Sequence, residues 1–220
     1  DAAGTNHGTN YGSKYSYDNP SPPVEFGRAS RSFNGTSDYI DLGNDASLDL
    51  NSTLTMSFWI KPESSHNGAI LSKWTSGLST VFTNAYTCYF GQDAANDRLK
   101  FMVQQSNGTK VNLNDSTVLP LSQWSHVVCK ADGSNLSLFI DGQSSSSVSY
   151  DGTIDVYPVK LLIGKLRQTD SIYTFDGKIA DVRLYDTDLT ASQVSDLYAG
   201  TDVQTNLIGH WLTDNDDVED

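Results

Sequence analysis

Eight short stretches of the chain alternate apolar and polar residues with a period of two, and no helix-length pattern separates one from the next. They are 55–62 (TMSFWIKP), 68–74 (GAILSKW), 79–91 (STVFTNAYTCYFG), 98–105 (RLKFMVQQ), 124–131 (WSHVVCKA), 136–142 (LSLFIDG), 159–166 (VKLLIGKL) and 178–186 (KIADVRLYD). A period of two turns successive side chains to opposite faces of an extended strand, and β-branched and aromatic residues pack well on its pleated surface. Between the stretches lie SHNG, AAND, SNGT, ADGSN and SYDGT, which supply Gly, Asn and Asp where a tight turn needs positive φ. Strands joined this way pair antiparallel, and so many of them bury their apolar faces by stacking two sheets. The expected fold is therefore all-β, an antiparallel two-sheet jelly-roll sandwich. One segment departs from the period. Thr190 reads as an N-cap, Gln193 completes a capping box, Val194 and Leu197 share a face, and Gly200 is a stop, which predicts one short helix near 190–199. Asp141 and Gly142 are expected to close a hairpin, and Trp59 and Trp124 to lie in the core.

With 220 residues, the chain is long enough for one large sandwich. Residues 1–205 are read as that domain, with 1–32, rich in Gly, Asn, Tyr, Ser and Pro, running as a long surface loop. Residues 206–220 form a C-terminal strand plus acidic tail, and SSSSVS at 144–149 is a polar loop or an edge strand. The formal net charge of −13 repels nucleic acid and anionic membranes, and suits calcium or cationic partners. No run approaches the roughly 20 apolar residues that span a bilayer, so no membrane insertion is expected. The chain opens at Asp1 without Met, as expected of a mature or excised fragment. Sequons at Asn34, Asn51, Asn107, Asn114 and Asn135 fit a secreted, extracellular glycoprotein. Cys88 and Cys129 form one disulfide if their strands are neighbours in an oxidising compartment; otherwise they are buried free thiols.

Catalytic signatures are missing. Jelly-roll glucanases need Glu and Asp paired on one strand, and Glu25, Glu63 and Glu219 are far apart. His7, His66, His126 and His210 show no metal-ligand spacing, and no Ser or Cys sits in a nucleophile elbow, so the chain is expected not to be an enzyme.

Several segments, in order, resemble laminin-G-like jelly rolls of the concanavalin A-like lectin/glucanase fold, the pentraxin-like group. SFNGTSDYIDLG (32–43) carries an aromatic, a small polar residue, Gly, an exposed acid and a strand. TMSFWIKP resembles the family's second strand, QWSHVVCKADGSNLSLFIDGQ (123–143) its central hairpin, and LLIGK with FDGKIADVRLYDTDLTASQVSDLY (175–198) its closing strands and helix. The resemblance covers roughly 33–199. It also makes the ends informative. Such domains open with an apolar strand and an acid-glycine turn; here DAAGTNHGT stands within that turn, and the opening strand reappears as NLIGHWLTDNDDVED at 206–220. An apolar strand with unpaired amides needs a sheet edge. Leu207, Ile208, His210 and Trp211 dock into their own domain, into the next copy of the chain as a head-to-tail filament, or belong to a following tandem domain.

The resemblance further implies a structural calcium held by Asp1, Asn6, Asp214 and Asp216 with Asp181, and with Asp38 as an addition; the alternative is a solvated acidic tail. Two functions follow: a structural module assembling through its C-terminal strand, or a calcium-dependent carbohydrate-binding or adhesion module in which an aromatic such as Trp74 or Tyr173 grips a glycan.

Overall fold

The computed structural model of the protein describes residues 7–20, 30–75, 84–91, 97–168, 173–211 and 218–219. Along the chain run β1 (Gly8–Tyr11), β2 (Lys14–Ser16), β3 (Ser30–Asn34), β4 (Tyr39–Asp41), β5 (Thr53–Pro62), β6 (Gly68–Trp74), β7 (Asn84–Phe90) and β8 (Arg98–Gln104). They are followed by β9 (Lys110–Val118), β10 (Ser125–Asp132), β11 (Asn135–Ile140), β12 (Gln143–Ser149), β13 (Leu162–Ile163), β14 (Asp176–Tyr185), α1 (Ala191–Tyr198), β15 (Leu207–Trp211) and β16 (Val218–Glu219). The first sheet has the order β16-β1-β4-β13-β6-β7-β8-β9, and the second β12-β11-β10-β5-β14-β3-β2 with β15 beside β14. Apart from β1 and β16, which are parallel, the pairs are antiparallel.

Each of the eight stretches carries a strand, and α1 has the expected capping box: Thr190 Oγ1 accepts from the Gln193 amide, and Gln193 reaches back to the Thr190 amide. Asp141 and Gly142 both have positive φ, 49° and 76°, so the β11–β12 turn has the backbone twist that hairpins favour. Strand β5 explains the two layers. Leu54, Met56, Phe58 and Ile60 point into the interior between the sheets, where they meet Phe33, Tyr86, Phe101, Val127 and Leu138. The alternate side, with Thr55, Ser57 and Trp59, is buried too: Thr55 Oγ1 donates to Thr187 O and Trp59 stacks on Tyr198 of α1. Trp124 is only half-buried and donates to Asp18 Oδ1.

One expectation changes, and two open alternatives resolve. Residues 8–11 and 14–16, expected within a surface loop, are strands; residues 21–29 lie outside the described residues. Tyr11 stacks on Tyr39 at 4.5 Å, and the Arg31 guanidinium lies 4.3 Å from the Tyr15 ring, so ring contacts and edge pairing order a segment with little apolar content. The serine-rich 143–149 is an edge strand. Cys88 and Cys129 are free thiols; their strands lie in different sheets, and the two side chains meet across the interior.

One edge of β14 is shared by strands from opposite ends of the chain. Residues 176–180 pair with β3 and 182–185 with β15, while β5 covers the other edge. A bulge marks the junction, and Asp181 there has φ of 49°. In this structure the C-terminal strand is thus seated in its own chain, with Trp211 wholly buried and its indole across Gly209, where any Cβ would lie 2.1 Å from the ring. The Asp181 carboxylate accepts from Arg183 Nε at 2.8 Å and lies 2.6 Å from His210 Nε2, and Arg183 also binds Asp202.

His126 of β10 is wholly buried beside Trp59 and Tyr198, with Nε2 on Ser57 Oγ at 2.9 Å and Nδ1 unpartnered. Burial pushes its pKa down to about 4, overcoming Asp181, which favours the charged ring, with Arg183 adding to the downward shift. The unfolded chain then takes up a proton that the folded one refuses, so stability falls as pH drops from 6.5 towards 4. Denaturant unfolding should show a loss of about 3 kcal/mol over that range. His126→Gln should flatten the profile; an unchanged slope in the variant would refute the assignment.

Candidate ligand-binding face

Residues that alternate away from the interior on the first sheet gather on its outer face. Trp74 and Tyr173, the two aromatics singled out in the sequence, are brought together there in one cluster with Ala69, Tyr89, Met102 and Leu166. Trp74 is 5% exposed, so it walls a cleft rather than standing free. The cleft, about 290 Å³, is lined by Trp74, Leu162, Val159, Lys160, Arg167 and Gln168 among others. That volume lies at the small end of ligand pockets, roughly 300–1,000 Å³. Its makeup, an indole and aliphatic wall with cationic and amide donors at the rim, suits a polyhydroxylated ring with one apolar face.

The rim is held from beneath by a lysine with no water contact. Lys73 is wholly buried, and its ammonium donates to Val159 O at 2.7 Å and Asn44 Oδ1 at 2.7 Å, with Asp49 Oδ1 at 3.1 Å. Asp45 caps the short 3-10 turn Ala46–Leu48 between those two partners. One buried cation therefore ties the 44–49 turn and the cleft wall to β6. Burial lowers the Lys73 pKa, and the Asp49 contact opposes that shift. Beside the cleft, the buried Asp41 Oδ2 accepts from Lys160 Nζ at 2.5 Å and from Gln168 Nε2 at 2.6 Å. Next along the same face, the Lys165 ammonium lies 4.7 Å from the Tyr39 ring.

Sequence reading missed Lys160, Lys165, Arg167, Gln168, Tyr39 and Asp41. The stretch 159–166 shows an apolar period, and the cations interleaved in it and just beyond it are the available signal.

Of the six expected calcium ligands, Asp38 and Asp181 fall among the described residues. Asp1, Asn6, Asp214 and Asp216 lie outside them. Asp181 is spent on Arg183 and His210, which hold its pKa down to about 2 against the opposing effect of burial, and a guanidinium at 2.8 Å is a poor neighbour for a metal ion. Asp38 accepts from the Asn34 amide and the Ser37 hydroxyl. No group of three or more His, Cys, Asp or Glu side chains that could hold a metal occurs among the described residues. Of the sequons, Asn34, Asn51, Asn107 and Asn114 are exposed and Asn135 is half-buried. No helix among the described residues is long and apolar enough to cross a membrane.

A laminin G family model, described as the concanavalin A-like lectin/glucanases superfamily, matches residues 34–195, and the chain belongs to that family. Curated relatives include usherin of Rattus norvegicus, 23% identical over 154 residues, which is 66% of this chain and 3% of usherin. Adhesion G-protein coupled receptor V1 of Danio rerio is 28% identical over 169 residues, 71% of this chain and 2% of the receptor. The chain thus spans a small fraction of either relative. Among solved structures, domain 4 of AbnA, an extracellular arabinanase from Geobacillus stearothermophilus in complex with arabinotriose, superposes with a TM-score of 0.61 at 19% identity, covering 87% of this chain and 86% of that domain. That likeness is one of fold.

Replacing Lys73 by Met should remove the three polar contacts that fix the cleft wall and leave Asp49 without its cation. A stability loss of roughly 3 kcal/mol is expected in chemical denaturation. An unchanged unfolding midpoint would show that the ammonium does not hold this wall.

Proposed function

We propose that this chain is a non-enzymatic, extracellular carbohydrate-binding module that seats an oligosaccharide in the Trp74 cleft on the outer face of its first sheet. The observation that carries the reading is the convergence of Trp74 and Leu162 with Lys160, Arg167 and Gln168 around one cleft. An apolar wall with a few placed donors is what sugar recognition needs, since each ring offers one C–H face and a perimeter of hydroxyls. Membership of a lectin-like family and the sugar-bound relative in fold support it. An adhesion role is the corresponding biological reading, in keeping with the receptor among the relatives.

Head-to-tail assembly with copies of the chain would move residues 207–211 from their own β14 to that of a neighbour, where Trp211 burial and the His210–Asp181 contact would be remade. The exchange gains no contact and gives up the freedom of separate molecules, which supports a binding module over a polymer at ordinary concentrations. Sedimentation over a wide concentration range should read a monomer, and long polymers would restore the assembly reading.

The binding test is a glycan array probed with the purified chain, followed by calorimetry on the selected oligosaccharide. Trp74→Leu should weaken binding roughly tenfold while the melting transition stays cooperative. A chain that selects no glycan, or a variant that binds as well as the parent, would overturn the assignment.

A further inference from the structure

The turn that carries Asn44 and Asp49 is held on several sides. Asp45 Oδ1 accepts from the Ser47 amide, the Asp49 amide donates to Ala46 O, and the buried Tyr86 hydroxyl donates to Leu48 O. Just before Asn44, Gly43 O accepts from the Leu161 amide. This turn brings three groups of complementary reactivity to one point: the Lys73 nitrogen lies 2.7 Å from Asn44 Oδ1 and 3.1 Å from Asp49 Oδ1. A carbonyl bond is about 1.23 Å long, which keeps the Asn44 Cγ within about 4 Å of that nitrogen. Lys73 is 0% exposed. Burial disfavours its charged form and lowers its pKa, so the free amine, which is the nucleophile, is easier to reach than on a solvated lysine. Asp49 Oδ1 is buried too, and the lysine nitrogen is its partner among the described residues. Asn44, by contrast, is exposed, so a small leaving group has a way out.

We propose that Lys73 and Asn44 join in an isopeptide bond, made by the folded chain on itself with Asp49 as the proton carrier. The Lys73 ammonium gives a proton to the Asp49 carboxylate, and the free amine attacks Asn44 Cγ. The Nζ–Cγ bond forms and the Cγ–Nδ2 bond breaks. Two protons from the lysine nitrogen, carried by Asp49, leave with Nδ2 as ammonium, so atoms and charge balance without an oxidant, a reductant or any other co-reactant. The rigid turn supplies the proximity that such an intramolecular step needs. The bond ties the turn to β6 permanently and closes a loop across residues 44–73, which restricts the unfolded chain as any cross-link does.

Mass spectrometry of the intact chain reads the bond, with the protein made in bacteria so that the sequons stay bare, and denatured after long incubation at neutral pH. The chain should be lighter than its sequence by one ammonia, and trypsin should fail to cut after Lys73 even in the denatured state. Asn44→Ala and Asp49→Ala should each carry their own full mass and be cut there; both positions lie on the turn outside the core, and a cooperative melting transition checks that the variants fold. The full sequence mass in the parent overturns the proposal and leaves Lys73 as the ammonium described above. A succinimide at Asn67–Gly68 loses the same ammonia but leaves Lys73 open to trypsin, so cleavage there overturns the proposal as well. Loss of one water in place of ammonia would make Asp49 the acyl partner and overturn the assignment of Asn44, and a cross-link that survives Asp49→Ala would overturn the role of Asp49.

Discussion

The interior of the sandwich stays open until the bulged edge of β14 is covered along its whole length, and no single strand does this. β3 covers residues 176–180 and β15 covers 182–185, so segments near the two ends of the chain complete one edge. The junction falls at the bulge, where the positive φ of Asp181 turns its carboxylate to Arg183 of its own strand and His210 of β15. Three charged or polar side chains are buried there, and each satisfies another, which is the condition under which such burial is tolerable. Trp211, one residue on, fills the interior behind them. In this structure the terminal strand pairs with β14 of its own chain.

That closure places the proposed binding face. With the interior filled from both sheets, the first sheet turns Trp74, Tyr89, Tyr39 and the cations around them outward, where α1 does not reach because it packs on the other sheet. Lys73 then fixes the wall of the cleft by binding chain segments from either side of it. A buried ammonium with three oxygen partners is a rigid support, since any displacement leaves a charge unpaired in the protein interior. Rigidity of this kind favours binding of a ligand with many rotatable hydroxyls, because the protein side has little left to order.

Much of the scaffold was legible because its signals are local. Period-two alternation marks β5 through β8 without reference to any other segment, the Thr190–Gln193 box marks a helix start, and Asp-Gly marks a hairpin. Strands β1 and β2 were not legible, since a short strand at or next to a sheet edge draws its hydrogen bonds from the backbone, and β1 needs only a Tyr11 to meet a Tyr39. The contacts of Asp181 were not legible, because its partner His210 lies 29 residues away and is set by the register of β15 on β14. The proposed face was half legible. Aromatic residues are conspicuous in a sequence, so Trp74 and Tyr173 stood out, whereas Lys160, Lys165 and Arg167 gain meaning only when β13 sits between β4 and β6.

Titrating isotope-labelled protein with the array-selected oligosaccharide, and following amide and indole resonances, tests the location of the site most directly. Shifts centred on the Trp74 indole, Leu162, Arg167 and Gln168, with the strands β10 to β12 unmoved, are the expected result. Shifts centred on the second sheet, or on the loops around α1, would contradict it and move the binding function to another surface.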